Sequence, residues 1–198
     1  MTLPLHHEAL GLLEIDSIPR AARAQDAALK QAPVAILACA PVCPGKVILA
    51  FVGDVASVEE SLNAASRIIA SSVLDHLFLP GIHPDVLLAM TGKRQAQVLP
   101  ALALLELSSV AAAIVAADVA VKASEVVIGR LHLATGFGGK AYLTLKGKHC
   151  DVEAAVAAVE NSATLHLRDV EIIAAPHEDL ETMLFVRPWS YDPGDVPP

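Results

Sequence analysis

Three cysteines are the first residues of this 198-residue chain whose side chains could support chemistry. Cys39, Cys43 and Cys150 are too few and too irregularly spaced for a disulfide framework in a chain of this length, so we expect reduced thiols. A thiolate is a soft ligand for a transition metal. A free cysteine in a loop is also common and inert, and the residues alone favour this second interpretation for Cys43.

Two glycine-lysine loops, residues 41–46 and 135–140, suggest comparison with a phosphate-binding loop. A P-loop requires glycine at position 134 and serine or threonine at position 141, but these residues are Ala134 and Ala141. We therefore exclude that motif. Amides freed by glycine, with Lys46 or Lys140 beside them, leave only a weaker prediction, which is contact with an anionic metabolite.

The sequence lacks the other familiar catalytic and metal-binding patterns. It contains no His-Glu-x-x-His, Cys-x-x-Cys or Gly-x-Ser-x-Gly motif, so we assign no catalytic residue and expect a protein that is not an enzyme. The net charge of −8 opposes nucleic acid as a partner. No apolar run reaches the roughly 18 to 20 residues of a membrane helix, and no secretory signal is visible, which predicts a cytoplasmic protein without a membrane partner.

The composition predicts a folded chain that also buries surface against other subunits. Hydrophobic residues make up 54% of the chain, charged residues 18% and aromatic residues 4%, and the mean hydropathy is +0.52. The core must therefore consist largely of Ala, Val, Leu and Ile. Because apolar surface beyond the needs of one core is typical of interfaces, we expect an oligomer.

The chain contains an internal duplication. Residues 9–14 (Ala-Leu-Gly-Leu-Leu-Glu) recur as residues 101–106 (Ala-Leu-Ala-Leu-Leu-Glu). Further matching pairs follow in the same order: Asp26 and Asp118, Lys30 and Lys122, Gly45-Lys46 and Gly139-Lys140, and His83 and His177. A repeat of this length indicates two copies of a small domain. We place them at residues 8–92 and 98–186, and we predict that residues 187–198 form a flexible tail.

Both copies predict the same order of elements. In the first copy, strands are expected at residues 9–15, 34–40, 47–52 and 73–79, and helices at 19–31 and 55–69, with a short helix from Pro84. Ser17 is a candidate cap for the first helix, and Asp54 or Ser57 for the second. Three alanines should form a close-packing helix face, namely Ala21, Ala24 and Ala28. The pattern predicts an α/β fold with helices covering one face of each sheet and the second face or an edge poorly covered.

These motifs, in this order, resemble the bacterial microcompartment shell domain. The resemblance rests on residues 9–14, Asp-Ala-Ala-Leu-Lys in the first helix, the Pro-Gly-Lys loop, Gly-Asp-Val-x-x-Val-Glu, and the closing Pro-His-Glu-Asp-Leu. Two copies, each beginning with the same strand, are similar to the unpermuted tandem-domain shell proteins, which form trimers. The resemblance implies a structural protein in the shell of a bacterial microcompartment. It further implies a homotrimeric, pseudohexameric tile that assembles with other shell proteins around encapsulated enzymes.

The resemblance also implies that two loops surround a central pore on the trimer axis. The residues concerned are Val42, Cys43, Pro44, Gly45 and Lys46 in the first copy and Gly136, Phe137, Gly138 and Gly139 in the second. Cys43 aligns with Phe137. Three thiols would therefore alternate with three phenyl rings, which would narrow the opening and exclude water.

Two functions for this pore remain open at this point. The shell-protein subfamily of the propanediol-utilising compartment has a cysteine in the same Cys-Pro-Gly-Lys setting and binds a 4Fe–4S cluster. By resemblance, Cys43 of three chains would ligate such a cluster on the axis for electron transfer. The alternative is a passive or closed metabolite pore without a cofactor. A soluble metal-binding or regulatory module outside any shell is a remote third option.

Four residues match positions that the family places at the tile edge. Lys30 and Lys122 match the lysine that packs against its symmetry mate on the neighbouring tile, and His83 and His177 belong to the closing segment. Family members often carry an arginine before that histidine, and neither copy has one.

Overall fold

The computed structural model describes residues 8–92, 100–136, 138–162, 167–177 and 180. Two domains with the same architecture follow one another along the chain. Each described domain is a four-stranded antiparallel sheet with two longer helices packed on one face. This arrangement confirms the predicted α/β fold in two copies.

The elements of the first domain are β1 (Ala9–Ile15), α1 (Ile18–Gln31), β2 (Ala35–Val42), β3 (Lys46–Gly53), α2 (Val55–Ile68), β4 (Val73–Pro80) and α3 (Pro84–Met90). Those of the second are β5 (Ala101–Leu107), α4 (Val110–Ala123), β6 (Val127–His132), β7 (Ala141–Gly147), α5 (His149–Glu160) and β8 (Leu167–Ala174). The sheet orders are β2-β3-β1-β4 and β6-β7-β5-β8, so equivalent strands hold equivalent places. The predicted bounds agree closely with these.

The first residues of α1 and α2 show which of the candidate cap residues cap these helices. Asp54 caps α2, because its Oδ1 accepts a hydrogen bond from the Ser57 amide at 2.9 Å. The Ser57 hydroxyl also donates to Asp54, through Oδ2. This hydroxyl bond, followed by the amide bond, holds the pKa of the Asp54 carboxyl below its usual range. Ser17 occupies the cap position of α1, but its side chain makes no cap hydrogen bond. Cys150 lies in the first turn of α5.

One close contact explains a glycine in the first core. Gly11 of β1 is paired with Phe51 of β3, and a Cβ on Gly11 would lie 2.6 Å from Phe51 Cε2 and 3.1 Å from Val58 Cγ1. The equivalent pair in the second domain is Ala103 and Leu145. Each domain therefore sets a smaller residue against a larger one, and the sum of the two volumes is kept roughly constant.

Gly11→Ala should lower the free energy of unfolding by about 1 to 3 kcal/mol, because the fully buried Phe51 ring must move out of a packed site. Adding Phe51→Leu should recover part of that loss by copying the pair of the second domain. Urea unfolding followed by circular dichroism measures both. If the Gly11→Ala chain has the same free energy of unfolding as the original, the Phe51 ring can move aside without destabilising the core.

The second domain covers the outer sheet face of the first. Outward-facing residues Leu10, Leu12 and Ile48 belong to one apolar core with α4. Nine of the 14 residues of α4 are buried, whereas α1, which takes the same place in the first domain, buries three. A helix that is apolar on all sides is one that is packed on all sides. The face that was expected to be poorly covered is therefore filled, in the first domain, by α4.

Candidate functional site

The two loops predicted to line a pore lie side by side within one chain. Residues 41–46 connect β2 to β3, and residues 133–140 connect β6 to β7. A Cβ on the buried Gly139 would lie 2.8 Å from Pro44 Cδ and 3.5 Å from the Cys43 carbonyl oxygen. Gly139 also has a φ of +85°, so both its backbone conformation and its contact require glycine. The duplication thus brings the two equivalent loops together.

Cys43 is exposed at the tip of the first loop, followed by Gly45 with a φ of +76°. In the second loop Gly136 and Gly138 are also exposed and have positive φ, and Phe137 lies outside the described residues.

The other two thiols lie in regular secondary structure. Cys39 is exposed on β2, and partial burial raises the pKa of its thiol, whereas Cys150 is exposed on α5. Within the described ranges, no three histidine, cysteine or acidic side chains gather closely enough to hold a metal ion. A single chain therefore brings one thiol, that of Cys43, to the paired loops.

The two loop lysines are held by carboxylates of their own domains. Lys46 Nζ forms a salt bridge with Glu14, and their side chains are only 12% and 1% exposed. Lys140 Nζ lies 2.8 Å from Glu106 Oε1, in a pair that keeps more contact with solvent. Because both ammonium groups are paired with carboxylates, they would attract an anionic metabolite only weakly.

Glu14 connects the cysteine loop to the neighbouring domain, a role that the sequence analysis missed. Its Oε1 accepts hydrogen bonds from the amides of Val110 at 2.8 Å and Ala111 at 3.2 Å, which open α4, while its Oε2 accepts from Lys46. A carboxylate at a helix N-terminus is stabilised by the unpaired amides and the helix dipole. The repetition of this glutamate at the end of each Ala-Leu-x-Leu-Leu-Glu string was the available signal.

A second polar contact joins the domains, and it contains two of the predicted tile-edge residues. Asp118 Oδ1 accepts a hydrogen bond from the His83 amide at 2.8 Å, and Lys122 Nζ donates to Asp118 at 2.5 Å and to the Gly81 carbonyl oxygen at 2.7 Å. His83 and Lys122 thus meet at a junction inside the chain. The Lys122 side chain stays 43% exposed, so its contact with another tile remains a prediction.

The equivalent residues in the other copy lie apart from this junction. Lys30 forms an exposed pair with Asp26 at 2.6 Å, and His177 is exposed at the end of β8. Their role at a tile edge likewise remains a prediction.

The outer face of the second sheet carries a ring cluster that the sequence analysis did not identify. His132 and Tyr142 stack with ring centroids 4.6 Å apart, and the Arg130 guanidinium lies 5.7 Å from the Tyr142 centroid. Burial, and then the Arg130 charge, lower the pKa of His132. The first domain has aliphatic residues at most of these positions, so the two outer faces differ in polarity.

Comparison with known proteins agrees with this geometry. The BMC domain family matches residues 9–82 and 101–176. Over 177 residues the chain is 40% identical to the bacterial microcompartment shell protein PduT of Citrobacter freundii, covering 87% of this chain and 95% of that protein.

Two solved structures are also similar. A microcompartment protein from Desulfitobacterium hafniense matches with a TM-score of 0.81 and 40% identity, over 89% of this chain and 99% of that one. A fused, permuted hexameric shell protein of the RMM microcompartment matches with a TM-score of 0.62 and 25% identity, over 81% and 83%.

Among the described helices, none has the length and apolarity needed to cross a bilayer. The duplicated fold, the paired loops and the matches along nearly the whole chain lead to one conclusion. The chain belongs to the bacterial microcompartment shell proteins, structural components of shells in the bacterial cytoplasm, as a member with two BMC domains in tandem.

Proposed function

We propose that three copies of this chain form a non-catalytic, pseudohexameric shell tile with a central opening lined by residues 41–46 and 135–140. The observation that carries this proposal is the contact of Gly139 with Pro44 and the Cys43 carbonyl, which sets equivalent loops of two domains side by side. Three chains would continue that alternation around an axis, since a repeated head-to-tail contact closes into a ring at the correct rotation. The tile would assemble with other shell proteins around encapsulated enzymes.

The same geometry supports a 4Fe–4S cluster on the axis of that ring. One chain contributes a single exposed thiol at the loops, and one thiolate cannot hold a cluster. Three chains would contribute three Cys43 thiolates, a soft donor set that fits iron, with the fourth iron left to water or an external ligand. When bound, such a cluster would supply one-electron transfer across the shell.

The surroundings of Cys43 are suited to hold its sulfur in one direction. Pro44 restricts the backbone, and Gly45 adopts a φ that other residues avoid. Gly139 supports the loop from the second domain, and the buried Lys46–Glu14 pair anchors its far end. A preorganised loop of this kind would place three thiols without a large loss of conformational entropy on binding.

Anaerobic isolation tests the cluster and the ring together. We expect particles with the mass of three chains, a brown colour, and about four iron and four sulfide ions per three chains. Cys43→Ser should abolish iron and colour while leaving the mass unchanged. Cys39→Ser is the matched control, because this thiol is also exposed but lies four residues away on β2, and it should retain both.

The outcomes separate the two pore functions. A colourless, iron-free trimer would contradict the cluster and support the passive or closed metabolite pore, in which Cys43 acts as a small apolar residue. A monomer under the same conditions would contradict the tile itself.

A further inference from the structure

A cavity lies in the core that the two domains of one chain share. It has a volume of about 220 Å³. Its walls are strands β2 and β3 of the first domain, the end of α3, and Leu133, which follows β6 of the second domain. Most of these side chains also pack against the large core that contains α4. The cavity is therefore a feature of the domain junction and not of either domain alone.

Two facing alanines create this space. Ala38 of β2 is paired with Ala50 of β3, and the register of the two strands shifts just before Ala38. Larger aliphatic side chains surround the pair, so the two methyl groups leave a hollow between them. Protein interiors are close-packed, and the atoms that line a void lose their contacts on one side. A molecule of the right size in this hollow would restore those contacts.

The cavity has a buried floor and a rim that reaches solvent. Ala50 on the floor is 1% exposed, Ala38 and Met90 are half-buried, and Thr91 at the end of α3 is exposed. A small molecule can therefore enter at the rim without unfolding either domain.

The lining selects a neutral, apolar molecule. All of its described residues except Thr91 are apolar, and none is charged. The Thr91 hydroxyl already donates to the Leu88 carbonyl oxygen at 2.7 Å. A charged ligand would lose its hydration here without gaining a partner. Because apolar cavities of about 150 Å³ bind benzene, this cavity has room for a ring of that size or a slightly larger one.

The second sheet shows that the fold does not require this apolar hollow. The paired residues Ala38 and Ala50 correspond to Arg130 and Thr144, which are paired across β6 and β7. The same architecture therefore accommodates a long, charged side chain and a hydroxyl at these two places. The hollow follows from the alanines of the first domain.

We propose that this cavity binds one small, neutral molecule with an apolar body of about six to eight carbon atoms. The molecule lies between β2, which leads into the loop of Cys43, and Leu133, which leads into residues 135–140. It thus contacts the segments that carry both loops and stabilises the junction of the two domains. This inference goes beyond the proposed function and concerns a single chain, so it does not require the ring.

Isothermal titration calorimetry of the purified chain with benzene as the probe tests the cavity. We expect saturable binding of about one molecule per chain. Benzoate has the same ring and a negative charge, and it should bind at least about tenfold more weakly, because the described lining offers no partner for its carboxylate.

Two alanine substitutions on β2 locate the site. Ala38→Leu fills the hollow and should weaken benzene binding by at least about tenfold. Ala40→Leu is the matched control, because it makes the same change two residues along the strand, at an exposed position outside the cavity lining, and it should bind benzene as the original chain does. Circular dichroism checks that both variants are folded. Xenon in crystals of the original chain, which needs no substitution, should lie beside Ala38 and Ala50.

Three results would overturn the inference: no saturable binding of benzene to the original chain, equal affinities of the original chain and Ala38→Leu, or equal affinities for benzene and benzoate. The stoichiometry is measured per chain, so these results are the same for a monomer and a trimer. Failure here leaves the proposed ring untouched, and a monomeric chain that binds benzene would contradict the ring alone.

Discussion

Glu14→Gln is expected to lower the free energy of unfolding by about 3 to 5 kcal/mol, because it removes one member of a buried ion pair. The amide that replaces the carboxylate leaves the Lys46 ammonium without a counter-charge at a site where its side chain is 12% exposed. It also weakens two hydrogen bonds to the start of α4. Urea unfolding at one fixed chain concentration measures the loss.

Two further variants show whether burial is the cause. Adding Lys46→Met to Glu14→Gln should recover a substantial part of the loss, since the unpaired cation is then removed. Glu106→Gln alters the equivalent pair, whose side chains are 39% and 28% exposed, and should cost less than half as much. Equal losses at the two glutamates would contradict the argument, because the Glu14 pair is the more buried one and Glu14 also accepts from the amides that open α4.

Asp118→Ala is expected to have the second largest effect, lowering the free energy of unfolding by about 2 to 3 kcal/mol. The side chain is 6% exposed and accepts from the His83 amide and from Lys122, so its removal leaves a junction amide without its acceptor. The cost should stay below that of Glu14→Gln, because Lys122 is 43% exposed and its ammonium can turn to water. Amide hydrogen exchange at His83 should accelerate in parallel.

Asp26→Ala is the matched control for this second prediction. Asp26 holds the same helical position in α1, but its pair with Lys30 is exposed at 61% and 73%. An exposed i,i+4 pair is worth about 0.3 to 0.5 kcal/mol, and the gain in helix propensity is the same in both variants. A loss at Asp26 as large as the loss at Asp118 would mean that the junction within the chain does not set the cost.

Both predictions concern the same structural link. Glu14 holds the lysine at the end of the cysteine loop and the first turn of α4 at once, so the position of Cys43 depends on how the two domains meet. A change at the junction should therefore also disturb the loop. This coupling follows from one buried carboxylate with partners in two domains.

The amino-acid sequence by itself determined the duplication, the order of the elements and the residues at the loop tips. The elements and the loop tips depend on local pattern: short apolar or β-branched runs for strands, alanines at helical spacing, and glycines where φ is positive, as at Gly45 and Gly139. Because each is encoded within a few neighbouring residues, it could be predicted without knowing the packing. The hydrogen bonds at the helix ends were less predictable: Ser17 holds the predicted cap position of α1, but its side chain makes no cap hydrogen bond, because such a bond depends on the orientation of one side chain.

Only the tertiary structure decided which member of each repeated pair is buried. Glu14 and Glu106, or Asp118 and Asp26, are equivalent in sequence, but the outer face of the first sheet is covered by α4 and that of the second keeps an open groove. Burial changes the energy of a carboxylate through the loss of water and through the partners that replace it. That difference arises from contacts between residues about a hundred positions apart, which no local pattern records.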